Sequence, residues 1–165
     1  MQKNTIDQID ARILLALNSD PRATAIALAT TTRLSRNTIQ ARITKLQQMG
    51  VLRGFERRID PGSLGYPIAA FIFTRVTQQK LSAISDALAE VPEVVEVLGL
   101  GGVTDLLIQV VARGTDDLYR VAGRILDIDG VEQTTTALVM RTFVDYRLTP
   151  LLESITQGRI SGPSE

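Results

Sequence analysis

Between Arg33 and Lys45 the chain sets out side chains suited to reading a polyanion. Arg36, Asn37, Thr38, Gln40, Ala41, Arg42, Thr44 and Lys45 lie in the stretch "RLSRNTIQARITKLQQMG", which contains no acid. An Arg offers two donors matched to one edge of guanine, and Asn or Gln pairs with adenine through a donor and an acceptor together. Arg36 with Asn37 or Gln40 is therefore assigned to bases. Thr38, Arg42 and Lys45 are assigned to phosphate oxygens, which fix register without reading sequence. Carboxylates on this side would repel a phosphate backbone. The plainer alternative is a helix whose surface happens to lack acids.

Other chemistry is poorly provided for. The chain has no Cys and no His, which removes thiolate metal sites, disulfides, Cys nucleophiles and the commonest general base and metal ligand. Asp116 with Asp117 and Asp127 with Asp129 lack the spacing of a calcium loop and read as solvated helix caps. A glycine-rich phosphate loop is also missing. The expectation is a non-enzyme without metal or cofactor.

The polyanion-facing residues need a helix, and the pattern supplies one. Ser35 is a suitable N-cap, Ile39, Ile43 and Leu46 form an apolar stripe, and Gly50 marks the stop. At 100° per residue Asn37, Ala41, Thr44 and Gln48 then point directly away from that stripe. Two helices precede it. "TIDQIDARILLALNSD" repeats Ile6, Ile9, Ile13, Leu14 and Leu17 at three and four, with Thr5 or Asp7 as cap and Pro21 as stop. "TAIALATTT" is short and capped by Thr24. Three helices, the second short and the third starting at "LS", predict a helix-turn-helix.

Charge follows the same division. Up to Gly65 there are ten Lys/Arg against five Asp/Glu, and beyond it eight against thirteen, so a net charge of zero conceals a basic first part. That favours a polyanion partner for this part alone, against the alternative of ordinary charge fluctuation in small domains.

Beyond Tyr66 the pattern changes. "YPIAAFIFTRV", "VVEVLGL", "TDLLIQVVAR" and "GVEQTTTALVMRTFVDY" read as strands, and "QQKLSAISDALAEV" and "TDDLYRVAGRILDI" as helices. A slide of 37 residues sets "AAFIFTRV" on "LLIQVVAR" and Leu81, Ile84, Leu88, Val91 and Val94 on Leu118, Val121, Ile125, Ile128 and Val131. Two strand–helix–strand units joined at Gly101-Gly102 predict a ferredoxin-like βαββαβ domain. With both helices on one side, the other sheet face is bare, and a second copy is the simplest cover. The fold class expected is α+β: a three-helix, winged helix-turn-helix domain over 1–52, a linker strand over 53–65 read from the alternation in "VLRGFERRID" (51–60), a ferredoxin-like domain over 66–150, and a loose polar tail over 151–165. No apolar run reaches the ~18 residues of a membrane span. The polar, early-acidic N-terminus resembles no leader, which places the chain in the cytoplasm on DNA.

"IDQIDARILLALNSDPRAT", "LSRNTIQARITKLQQMGVLRGFERRIDPGSLG" and the βαββαβ pattern resemble the Lrp/AsnC, or feast/famine, transcriptional regulators, from about Ile6 to Leu148. The resemblance implies a double-stranded DNA partner, a small-molecule effector such as an amino acid, and dimers made through the C-terminal sheets that join into octamers. It places Ser35 at the recognition-helix cap and Arg36, Asn37, Thr38, Gln40, Ala41, Arg42, Thr44 and Lys45 toward DNA. It puts the effector at contacts between dimers, on Leu100, Gly101, Gly102, Val103 and Asp105 with Thr134 and Thr136. Glycine N–H groups facing a carboxylate and Asp105 facing an amino group make chemical sense there. A plain Gly-Gly hairpin capped by Asp105 reads equally well. Two positions depart from the family pattern: Arg33 stands where the turn usually has Gly, counted here as a DNA contact, and Thr104 stands where an aromatic often precedes the Asp. Two other readings share the resemblance. One is a chromatin-organising protein of low sequence specificity. The other is a siroheme decarboxylase subunit, whose dependence on His this chain does not meet.

Overall fold

Asp7 opens the first helix with a reciprocal cap: its carboxylate accepts from Asp10 N at 2.8 Å, and Asp10 returns the bond from Asp7 N at 3.3 Å. The computed structural model describes residues 6–159, so Thr5, the other cap candidate, lies outside the described residues. Helix α1 runs Gln8–Ser19, α2 Ala25–Thr32 and α3 Arg36–Gln48. Thr24 caps α2 through Ala27 N at 3.2 Å, and Ser35 caps α3 through Thr38 N at 3.1 Å. Ile13, Leu28 and Ile39, one from each helix, are almost fully buried together and form the centre of this unit.

The second unit, Arg58–Phe143, is a four-stranded antiparallel sheet in the order β2-β3-β1-β4. Its elements are β1 Ile68–Val76, α4 Leu81–Ala89, β2 Val94–Gly99, β3 Leu106–Ala112, α5 Thr115–Leu126 and β4 Val131–Leu138. Ala70, Ile72 and Val76 of β1 and Leu106, Ile108 and Val110 of β3 share a core with Ile84, Leu88, Val121 and Ile125 of the two helices. This is the ferredoxin-like arrangement. The opposite face carries Phe71, Phe73, Leu98 and Leu107, with Phe73 and Leu98 well exposed.

The 37-residue repeat holds for the helices but not for the paired strands. Ile84 and Leu88 match Val121 and Ile125 in burial. In β1, however, the inward residues are Ala70 and Ile72, whose 37-residue partners Leu107 and Gln109 point to the other face. Inward β1 and β3 positions are in step at 36, because a one-residue slip in a strand reverses every side chain.

Three expectations need correction. The linker over 53–65 is no strand: it forms 3-10 turns at Phe55–Arg58 and Pro61–Leu64. Alternation alone makes no strand without a partner, and here the Asp60 carboxylate gathers Gly62 N, Ser63 N and Ser63 Oγ into a turn ended by Gly65 at φ 89°. The fourth strand stops at Leu138 and does not run on to Tyr146, since its partner β1 is exhausted. The last bond is Val139 N to Ala69 O at 2.9 Å, and Pro67 ahead of β1 has no N–H to offer. Nor is the tail loose over 151–159; its last residues, 160–165, lie outside the described residues. It forms α6, Thr149–Thr156, and Val144–Glu165 groups with Met1–Arg57 as the other compact unit. Among the described residues no helix is long and apolar enough to cross a membrane.

Candidate functional site

Helix α3 hides Ile39 and Leu46 completely and leaves Arg36, Asn37, Gln40, Ala41, Thr44 and Lys45 exposed. Asn37, Gln40, Ala41, Thr44 and Lys45 line one shallow concavity, and Gln48 joins them. Gln48 was absent from the contact set expected from sequence, although its helical phase with Asn37, Ala41 and Thr44 marks it. The patch carries amide, hydroxyl and ammonium groups, and α3 contains no carboxylate. Its N-terminus is also free of acids, so the helix dipole presents positive potential beside Arg36. Ser35 and Thr38 are spent largely on the cap, with their hydroxyls 2.8 Å apart.

Arg33 ends α2 in the left-handed conformation, φ 56° and ψ 41°, and is the one non-glycine residue among the described residues to do so. The turn lets Leu34 N reach Ala29 O at 3.1 Å and throws the chain into Ser35 and α3. The exposed Arg33 side chain therefore stands just ahead of the recognition patch.

Arg42 departs from the expectation. Its Nη1 binds Asp10 Oδ1 at 2.9 Å and also Asp7, both on the α1 side, and it lies in the half-buried flank of α3 beside Ile39 and Leu46. Its charge is turned inward, where Asp10 is 1% exposed and needs a cation. Burial works to raise the Asp7 carboxyl, but the Arg42 guanidinium and the N–H groups of Asp10 and Ile9 outweigh it, so Asp7 titrates below the usual range. The same two acids hold Arg42 protonated above its ordinary value. The residue that sequence assigned to phosphate is the clamp between α1 and α3.

The glycine loop, Leu100–Asp105, joins β2 to β3. Leu100 N donates to Asp105 O at 2.7 Å, and Gly102 takes φ 151°, a region a side chain would strain. Val103 is 90% exposed at its tip. Asp105 is engaged on all sides: its N–H donates to Thr74 O, Oδ2 accepts Val76 N at 2.9 Å and Oδ1 accepts Gln78 Nε2 at 2.7 Å. That supports the capped-hairpin reading of this Asp. Thr134 pairs across with Thr74 and Thr136 with Ile72, so both point to the helix-covered side on edge strand β4. Thr134 shares the sheet end of the glycine loop with one strand between them, and Thr136 lies two residues further in. The Thr74 hydroxyl, beside both, is fully buried and has no hydrogen-bond partner.

Among the described residues no cluster of acids could hold a metal ion. Asp117 accepts from Arg113 N and from Arg120, and Asp129 pairs with Lys80 at 2.7 Å. Asp117 is thus committed to the first turn of α5, and Asp129 to Lys80 just before α4.

Comparison with known proteins adds an independent line. A winged helix-turn-helix DNA-binding model matches residues 6–53, and an Lrp/AsnC ligand binding domain model matches residues 69–149. The chain is 34% identical over 146 residues to the HTH-type transcriptional regulator FL11 of Pyrococcus horikoshii, covering 88% of this chain and 97% of that one. It is 36% identical over 138 residues to the HTH-type transcriptional regulator AldR of Mycolicibacterium smegmatis, covering 81% of each. Among solved structures it resembles E. coli AsnC, with a TM-score of 0.78 and 28% identity over 88% of this chain and 99% of that chain. It also resembles the leucine response regulatory protein of Mycobacterium tuberculosis, with a TM-score of 0.75 and 26% identity over 87% and 98%.

Proposed function

The chain belongs to the Lrp/AsnC family of transcriptional regulators, and on that footing we propose that it binds specific duplex sites under the control of a small-molecule effector, an amino acid or a close relative. The observation that carries the DNA half is the acid-free outer face of α3, with Asn37, Gln40, Ala41, Thr44, Lys45 and Gln48 around one concavity and Arg36 exposed in the first turn of the same helix. Arg36, Asn37 and Gln40 read base edges. Arg33 and Lys45 serve the phosphates, while Ser35 fixes the helix start and Thr38 reaches a phosphate only from within that cap. Ala41 and Thr44 give close apolar approach, suited to a thymine methyl.

The bare sheet face around Phe71, Phe73, Leu98 and Leu107 supports a homodimer, and further association of dimers yields the octamer expected of the family. Two recognition helices in such a dimer engage half-sites one helical turn, ~34 Å, apart. The effector sits on Leu100, Gly101, Gly102, Val103 and Asp105, with Thr134 and Thr136 beside them. Its carboxylate meets glycine N–H groups, and an amino group reaches Asp105 only by displacing Gln78. The name of the leucine response protein among the structural relatives supports an amino-acid effector. Such an effector regulates only if it binds one assembly better than another.

Fluorescence anisotropy on a selected operator and on random duplex tests this reading. A dedicated regulator prefers its operator by ~10³ or more. Equal affinities at every salt concentration would instead make it a chromatin-organising protein.

A further inference from the structure

Helix α1 is apolar on two sides. Ile9, Ile13, Ala16 and Leu17 face the three-helix core, whereas Ala11, Leu14 and Asn18 lie on the opposite side at helical phase. Ala11 is nonetheless completely buried. The element on that second side is α6. Asn18 Nδ2 donates to Thr149 Oγ1 at 3.1 Å at one end, and at the other a Cβ on Gly158 would lie 3.5 Å from Gln8 Nε2. The two helices are therefore antiparallel along nearly the whole length of α1. Leu152 and Ile155 are half-buried on α6, three apart, as a packing stripe requires. Yet the helix-turn-helix match ends at 53 and the ligand-domain match at 149, so almost all of α6 lies beyond both.

We infer that α6 is a fourth helix of the DNA-binding unit and positions the recognition helix through α1. The path is short. α6 braces one side of α1, Asp7 and Asp10 at the start of α1 grip Arg42, and Arg42 is on α3. Covalent connectivity gives the contact a further consequence. The chain leaves the DNA-binding unit after Arg57 and returns to it at Val144, so the effector unit is tied to the recognition unit by two segments. A change in the last strand can then reach α1 by the return segment as well as by the linker. The functional half of this inference rests on the DNA-binding reading above; the packing half does not.

The absence of Cys makes a clean test possible in the full chain. Asn18→Cys with Thr149→Cys, bridged by a short bis-maleimide, is expected to cross-link within one chain on a denaturing gel. Leu152→Asp is expected to weaken operator binding at least tenfold, with oligomeric mass and sheet circular dichroism unchanged. Bridging the cysteines in the Leu152→Asp background is expected to restore most of that loss, a rescue that general destabilisation of the second unit would not give. Bridging between two chains, or no bridging, would overturn the inference, as would operator binding by Leu152→Asp within twofold of the parent. If the parent binds no duplex, the DNA reading fails separately, and the cross-link alone decides where α6 docks.

Discussion

Arg33 holds a left-handed φ of 56° at the turn between α2 and α3, where a side chain costs roughly 1–2 kcal/mol. In the proposed function the exposed guanidinium ahead of the α3 patch offsets that cost with a phosphate contact. Arg33→Gly is expected to raise stability by about 1 kcal/mol in chemical denaturation while lowering the salt dependence of DNA binding by about one counterion. Unchanged salt dependence would remove Arg33 from the interface. Gln40→Ala is expected to relax preference at one base pair by ~1–3 kcal/mol, seen in a panel of single-substitution operators. Arg42→Ala should act differently, costing about 3 kcal/mol of stability because it strands the buried Asp10. The pH sign follows from Asp7, whose folded pKa is depressed. Its contribution is present above the unfolded carboxylate value and is lost as pH falls through the lower folded one. Acid unfolding of the parent should therefore steepen in that window, and Arg42→Ala should flatten it. The outward residues of α3 were legible in sequence because charge and helical phase are local properties. The ion pairs of Arg42 were not legible, because its partners Asp7 and Asp10 are more than thirty residues away and Asp7 was read only as a cap.

Elements with strong local periodicity, α1, α3, α4 and α5, were readable from apolar spacing and caps, and the βαββαβ order followed from the repeat. What escaped was whatever depended on a partner. The one-residue slip between β1 and β3 is invisible until the strands pair, and the alternating linker found no neighbour to make it a strand. α6 did leave a trace, since Leu151, Leu152 and Ile155 after Pro150 have helical spacing, but a polar surrounding sequence masked it. The glycine loop supplies a prediction at this scale. Asp105 holds the end of β1 through Val76 N and Gln78, so Asp105→Ala should lower thermal stability in the absence of any effector. It should also abolish effector-induced stabilisation in a thermal-shift screen against amino acids. A variant that is destabilised yet still responds would move the effector away from this loop.

At the level of the whole molecule, a neutral chain combines a basic recognition unit with an acidic second unit whose sheet exposes an apolar face. In the proposed function the first unit contacts a polyanion and the second, by self-association, sets copies of the first at fixed spacing, so specificity is expected to depend on both together. Disrupting the sheet face by Phe73→Asp should lower the mass in light scattering toward the monomer and weaken operator binding far more than it alters binding to random duplex. The most direct measurement is the affinity of the purified chain for operator and random duplex across a salt series, with solution mass determined in the same buffers. The expected result is a dimer or larger assembly that prefers the operator by ~10³ or more and loses affinity steeply as salt rises. A monomer that ignores duplex even in dilute salt would contradict the account.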